Sequence, residues 1–562
     1  MTKTKPTAPL SSRPLQAAVI FAPFLIGVYH EWTACLLSVY LIGCLLYYRK
    51  KRGSIVVPFT PASLASAVLA LFFGLSALWA VDRGMALMGF VKFLPMPLFA
   101  LAIGQLTSED REGLLAPLPW AGAVMTLLSG LLSLIPALSE VFLVNRRLGG
   151  FFQYPNTFAI YLLLGVVPLL FRKKLTLKDA APLPFLLAGI ALSGSRTVFL
   201  LMAAIVVYYL IWQKDKRLRL AVIGAAVLLV ALTGAYALIT GNFSSIARYL
   251  TISTSSTTFL GRFLYFQDAI PVIAKHPFGL GYIGYQCTQG SFKTGVYHIL
   301  YVHNDLLQIM LDVGWIPALL FIWAVVRSFF PGRCSHVKKI MLAVLCAHCM
   351  FDFDMQFVAM DLLFLLIADN DPIREFSWKN RHAAHITAAL TCVLCLYAGL
   401  VSGLFFLKSY HTVLRLYPYY TAAWESVITE ADTAESMDAI AEHILKTNKS
   451  VSLAWDAKAR AAYANGDFAA VIEYKRRAIA LQRYALDEYL DYFDMMEMGY
   501  ALYTQAGDTG SAAYCLERLR EIPEMLAQVR EETSSLGWKI QNQPITTLPD
   551  RYQERLDALI GG

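Results

Sequence analysis

The feature that most constrains this chain is a series of apolar runs, each close to the length that crosses a bilayer. They fall at 15–29, 32–48, 62–81, 85–104, 117–137, 157–171, 182–193, 197–212, 219–239, 304–327, 339–352, 356–368 and 386–407. A helix needs roughly 20 predominantly apolar residues to span the hydrocarbon core. Of the 562 residues 57% are hydrophobic and only 16% charged, where a soluble protein carries about a quarter charged. The expectation is an all-α, polytopic helical membrane protein with about 12–13 transmembrane helices, a large extracytoplasmic loop and a C-terminal soluble helical domain. The segment from Leu15 lacks a small-residue cleavage site and is soon followed by a second apolar run, so no cleavable signal peptide is expected.

Charge separates two parts of the chain. From Ser409 onward there are 15 Lys and Arg against 23 Asp and Glu, a net of −8, whereas the remainder holds 33 against 17, a net of +16. The basic excess is topological and does not point to nucleic acid. With residues 1–14 (Lys3, Lys5, Arg13) on the cytoplasmic side, every second exit should be basic. Arg49-Lys50-Lys51-Arg52, Arg172-Lys173-Lys174, Lys214 to Arg219, Arg333 with Lys338-Lys339, and Arg374 with Lys379 and Arg381 follow the rule, and the interval around Arg111 is its weak member. The odd number of spans then puts residues 409–562 outside, behind a membrane domain of 15–408 that includes the outer loop 240–303.

Five arginines run against this rule on the outer side. Arg146 and Arg147 lie in Ser139–Asn156, Arg196 in a short turn, and Arg248 and Arg262 in the long loop Thr240–His303. As a set they read as an anion site at the outer leaflet; snorkelling to headgroups is the alternative for each alone. The loop closes on Tyr301-Val302-His303-Asn304-Asp305, where histidine, amide and carboxylate meet at a membrane boundary. An imidazole, with an ordinary pKa near 6.5, is the side chain most readily poised as a general base at neutral pH. Asn304 or Asp305 could orient it or a substrate hydroxyl, while Gln308 and Asp312 extend a polar stripe along the next helix; a simple helix cap is the competing reading of His303. Upstream, Lys275-His276-Pro277-Phe278-Gly279-Leu280-Gly281 forces a tight turn that lets backbone approach a ligand closely.

The nine cysteines form no metal-ligand grouping. Cys346/Cys349 and Cys392/Cys395 lie inside apolar runs and read as small core residues, and a Cys287–Cys515 disulfide has no support. No metal and no cofactor are expected. In the tail, Trp455-Asp456-Ala457-Lys458-Ala459, Tyr463, Gly466-Asp467-Phe468 and Ala478 read like one tetratricopeptide-type helix pair, although Val471 and Arg483 depart from that repeat. Such pairs present a surface to a partner or substrate; a plain helical cap is the alternative. Gln541–Leu548, with Pro544, reads as a linker before a last short helix.

Taken in order, several short motifs resemble the O-antigen ligase and polymerase superfamily, which includes bacterial protein O-oligosaccharyltransferases. They are Arg147-Leu148-Gly149-Gly150-Phe151-Phe152 with Pro155-Asn156-Thr157, then Gly194-Ser195-Arg196-Thr197, then Gly261-Arg262 followed by Pro277 to Gly281. Val302-His303-Asn304 with Gly314 comes next, and last His348 with Phe351-Asp352-Phe353, where Cys349 replaces the usual Ser. Together they cover about residues 140–360 and leave the tail outside.

The resemblance implies transfer of a glycan from a polyprenyl-diphosphate carrier to an acceptor hydroxyl at the outer face of the cytoplasmic membrane, with inversion and without a metal. It implies His303 as general base and Arg196 and Arg262, helped by Arg248 or Arg147, as ligands of the diphosphate, with Asn304 beside the substrate. The acceptor is a hydroxyl-bearing glycan, lipid or protein, and the tail offers a surface for a protein partner. Asp352 and Asp354 read as helix-end or hydroxyl-binding groups rather than metal ligands. Two other readings stay open: a polymerase whose acceptor is another lipid-linked repeat, and a non-enzymatic flippase of lipid-linked sugars, to which only Lys92 and His348 point.

Overall fold

The computed structural model describes residues 10–172, 176–216 and 257–561, with isolated positions between 219 and 238. It is 74% helical, with almost no sheet. Among the described residues, five helices are long and apolar enough to cross a membrane: Glu31–Arg52, Pro61–Leu78, Ala86–Ile103, Ser108–Leu132 and Arg381–Phe406. Four shorter apolar helices, Pro155–Leu170, Arg196–Trp212, Trp315–Phe329 and Val358–Ile367, pack with them. The all-α polytopic architecture expected from the apolar runs is the one observed. The expected span at 219–239 falls mostly outside the described residues.

Local chemistry sets the ends of these helices. Glu31 opens the first long helix and Arg49-Lys50-Lys51-Arg52 close it, charges that match the two ends of the helix dipole. Gly53, at φ +82°, supplies the left-handed turn that stops it. The helix Arg381–Phe406 leaves Ile386, Leu390, Val393, Leu396 and Leu400 more than half exposed. Apolar side chains at that spacing form a stripe that suits lipid rather than water.

The basic ends of two helices are tied together by a short antiparallel ribbon that periodicity did not foretell. Ile55–Phe59 pairs with Arg374–Trp378, with Val57 opposite Phe376. The Arg49 guanidinium donates to the carbonyls of Trp378 (3.3 Å) and Lys379 (3.0 Å). Both segments are ones the charge pattern assigns to one side of the membrane.

At the other end the expected single span 304–327 is two helices, Asp305–Val313 and Trp315–Phe329, broken at Gly314 (φ +84°). A Cβ there would lie 2.1 Å from the Pro277 carbonyl oxygen. The Pro-Gly turn seen in the sequence explains this: Leu280 and Gly281 donate their amides to the carbonyls of Leu311 (2.6 Å) and Asp312 (2.9 Å), and Trp315 donates to Pro277. These glycines permit close approach to the chain's own atoms, Gly279 to the Asp312 backbone and Gly281 to Ala80.

The outer loop holds the helices Thr257–Lys275 and Gly284–Phe292. Asp268 pins the following segment, accepting from the Thr294 amide (2.8 Å) and hydroxyl (2.6 Å) and from the Tyr297 hydroxyl (2.8 Å). The tail is a run of helices from Tyr410 to Gly561. Ser452–Ala464 and Phe468–Leu481 form an antiparallel hairpin turned at Gly466 (φ +72°) and capped by Asp467, and Leu486–Gln505 packs on Thr509–Glu532. This tail packs on residues 290–295 and on the turn that holds Asp82. Asn448 donates to Asp82 (3.1 Å), the Ser534 amide donates to the Thr294 carbonyl (3.0 Å), and a Cβ on Gly290 would strike the Leu481 carbonyl. Cys287 and Cys515 are both free thiols, as are the other seven cysteines.

Candidate active site

His303 is placed by a strained turn. Its φ of +55° lies in the left-handed region, a conformation that costs a non-glycine residue on the order of 1 kcal/mol. The next residue, Asn304, is extended and caps the helix Asp305–Val313 by accepting the Leu307 amide at 3.0 Å. Its amide nitrogen donates to the Met350 carbonyl (3.1 Å), and Asp305 accepts the Met355 amide (3.1 Å). The helix start is therefore fastened to the turn that follows the helix His336–Cys349.

Asp352, in that turn and 1% exposed, is the hub of the site. One oxygen, Oδ1, accepts from the Tyr154 hydroxyl (2.7 Å) and lies 3.4 Å from His303 Nδ1. The other, Oδ2, accepts from Asn156 Nδ2 (2.7 Å) and Arg262 Nη2 (3.2 Å). Burial by itself would raise the Asp352 pKa, but Arg262 and His303 outweigh it and hold the carboxyl well below the ordinary aspartate value. At 3.4 Å, His303 is close enough for an ion pair but not for a formed hydrogen bond. Phe353 and Tyr265 hold the imidazole, with ring centroids 5.0 and 6.1 Å away.

Arg147 extends the network by one step. Its Nε donates to the Ser193 carbonyl and its Nη2 to Asn156 Oδ1, both at 2.6 Å, so it reaches Asp352 through Asn156. Arg196 begins the helix Arg196–Trp212, directly after Gly194 (φ +60°) and the buried Ser195, and is half-buried. Of the residues picked from the sequence, His303, Arg262 and Arg147 thus converge on one carboxylate. Arg196 stands on the neighbouring turn, and Arg248 lies outside the described residues. Asn304 spends both ends of its amide inside the protein. Gln308 and Asp312 form the expected buried stripe, 2.9 Å apart.

Sequence reasoning weighed Asp352 only as a helix-end or hydroxyl-binding group and passed over Tyr154. The available signal was an Asp just beyond a helix, in a segment already matched to a motif; its neighbours come from residues 49 to 198 positions away.

Among the described residues, Asp305, Cys349 and Asp354 are the set that could hold a metal ion, with ligand atoms within 4.8 Å of one another. Asp354 is already engaged at both oxygens, by Thr157 at 2.7 Å and by His348 Nδ1 at 2.5 Å.

A pocket of about 270 Å³ opens beside the hub. Arg262, Tyr265, His298 and His303 line it from the outer loop, and Ile540, Gln541 and Asn542 line it from the tail. The stretch read as a linker is therefore a wall of the pocket.

Residues 182–322 match the family model described as O-antigen ligase. Over these residues the chain is similar to that family. The match supports the O-antigen ligase/polymerase superfamily and, with it, glycan transfer of the ligase or polymerase type by a membrane protein. It includes Arg196, Arg262, His303 and Asn304 and leaves out Arg147, Asp352 and the tail. No curated protein and no solved structure matches the chain.

Proposed function

We propose that this chain passes a glycan from a polyprenyl-diphosphate carrier to an acceptor hydroxyl at the outer face of the cytoplasmic membrane. The observation that carries the reading is the Asp352 junction: a buried carboxylate ties an imidazole and a guanidinium to the mouth of one pocket. With Nδ1 turned toward Asp352, His303 has Nε2 left for the acceptor. Nε2 takes the hydroxyl proton, the freed oxygen attacks the anomeric carbon, and the bond from that carbon to the diphosphate breaks with inversion. The electron pair leaves with the diphosphate, and the proton stays on an imidazolium that Asp352 stabilises.

Arg262 meets Asp352 through one nitrogen, which leaves further donors for the leaving diphosphate; in this reading Arg196 adds charge from the neighbouring turn, and Arg248, the further candidate, lies outside the described residues. Fixed cations aimed at developing negative charge are worth several kcal/mol in such a site. Arg147 and Asn304 act as positioning residues, because their polar atoms are bonded within the protein. The tail is tetratricopeptide-like and extracytoplasmic in this reading, and its part in the pocket favours ligation to a glycan, lipid or protein acceptor over polymerisation of lipid-linked repeats. The flippase reading has less support, because His303 and Arg262 gather at the mouth of one pocket, although Lys92 and Asp361 are buried within apolar helices.

The test is mass spectrometry of envelope glycans in cells lacking the chain. Long glycans left on the carrier lipid are expected. Single repeats there would indicate a polymerase, and accumulation on the inner leaflet would overturn an enzymatic role.

A further inference from the structure

A second and larger cavity, about 730 Å³, lies between the outer ends of the membrane helices and the tail. That is within the roughly 300–1,000 Å³ of pockets that enclose small-molecule ligands. Its floor holds Lys92, 1% exposed, whose ammonium contacts the Tyr301 hydroxyl (3.4 Å) and Gln356 Oε1 (3.3 Å). The rings of Tyr29, Tyr282 and Tyr301 stand 4.8, 5.5 and 5.6 Å from that ammonium. Glu31, also on the floor, accepts the Tyr282 hydroxyl, and Lys408 and Glu425 line the cavity as well, so groups of both signs face it. The roof comes from the tail, where Tyr420, Ser450 and Gln482 face down. His298 lines this cavity and the catalytic pocket alike, so the two spaces adjoin.

We propose that this chamber binds the pyranose residues of a hydroxyl-rich oligosaccharide that continues from the bond being formed at His303. The claim rests on the reading of the His303 site as one of glycan transfer. Aromatic faces pack against the C–H faces of sugar rings, while amide, hydroxyl and ammonium donors beside a carboxylate read their hydroxyls in both senses. A lipid tail would find too many buried polar groups there, and a strong anion would meet Glu31 as well as Lys92. Because the tail supplies the roof, it contributes to glycan selection at the site itself.

The test uses the full-length protein in lipid nanodiscs on an array of neutral and carboxylated oligosaccharides. Wild type should bind neutral members, and His303→Ala should bind them equally. Ala422, beside Tyr420, also lines the roof, and Ala422→Trp and Ser450→Trp, which fill the space from there, should each weaken binding at least ten-fold. Gln482→Leu, which removes a donor without adding bulk, should weaken it several-fold. Loss of binding by an added polyprenyl-diphosphate glycan would mean that the chamber holds the donor's sugars; simultaneous binding would mean that it holds the acceptor's. If no array member binds, or if both Trp variants bind as wild type does, the chamber assignment is overturned. Binding without transfer would instead overturn the reading of His303 and leave the chamber standing.

Discussion

Asp352 at the rim and Lys475 in the tail are both buried charges, 1% and 0% exposed, met by several groups of opposite or polar character. Lys475 contacts Asp456, Glu488 (2.5 Å) and Asp491 (3.6 Å), all from helices adjacent in sequence, and Arg460 bonds Asp456 at 2.7 Å. Its partners are carboxylates, and they outnumber the cations. Asp352 is approached by Arg262 at 3.2 Å and His303 at 3.4 Å, both lining a pocket, while shorter neutral bonds from Tyr154 and Asn156 hold it in place. In the tail the ionic contacts are tight and seal a helix packing. At the rim they are loose, and the cations keep capacity for something else. Catalytic contacts are often long until substrate arrives, so contact length and pocket access, rather than burial, separate the cluster proposed to act in transfer from the architectural one.

The comparison breaks most visibly at His303. His303→Ala should lower transfer about 1,000-fold, within the roughly 10²–10⁴-fold span for loss of a general base, in reconstituted membranes with purified lipid-linked glycan. Asp352→Asn keeps the shape but removes the charge that steadies the imidazolium, and should cost about 100-fold with the protein still inserted. Transfer at the wild-type rate in either variant would place the base elsewhere.

The tail cluster should answer in stability instead. Lys475→Met leaves Glu488 and Asp491 without their buried cation and should destabilise the tail by about 3 kcal/mol, at the lower end for breaking a buried pair. Its Tm should fall while transfer per folded molecule stays near wild type. A large loss of transfer with an unchanged Tm would erase the distinction drawn above. Arg262→Ala is expected to be milder, raising the KM for donor about 10-fold, because Arg196 on the neighbouring turn is proposed to share the diphosphate; Arg262→Lys should recover only part, since an ammonium lacks the guanidinium fork. An unchanged KM in both variants would move the diphosphate away from Arg262.

The membrane architecture was legible in the sequence because apolar run length and basic exits act locally, one helix at a time. The pairing of Ile55–Phe59 with Arg374–Trp378 was not, since a short strand of five residues has too little pattern to name a partner over 300 positions away. At the site, His303 and Arg262 stood out because each breaks a local trend, a polar group at a membrane boundary or a cation on the wrong side. Asp352 breaks no such trend: an acid at a helix end is ordinary, and its importance comes from Tyr154, Asn156, Arg262 and His303 meeting in space. The tail's place in the pocket was hidden for the same reason, because Ile540 to Asn542 carry only loop character in sequence.

The smallest effect concerns how the tail seats on the membrane domain. Glu425, on the tail helix Thr421–Ile428, faces the large cavity, and burial, with the nearby Asp82 carboxylate second, pushes its pKa up to about 7 from 4.5. A carboxyl whose pKa is raised on folding binds more protons in the folded state than in the unfolded one between those two values, so stability falls as pH rises across that window. The seat should be firmest below about pH 4.5 as far as Glu425 is concerned, weaken between 4.5 and 7, and level off above. Glu425→Gln keeps the polar surface but removes the charge, so it should flatten this slope and raise Tm slightly at pH 7.5. Asp82, shifted in the same direction by its own burial, would leave a residual slope of the same sign. Thermal unfolding of wild type and variant from pH 4 to 8 checks this. Parallel curves would mean that Glu425 is charged in the seated tail, and the cavity floor would then face a second fixed carboxylate instead of a neutral acid.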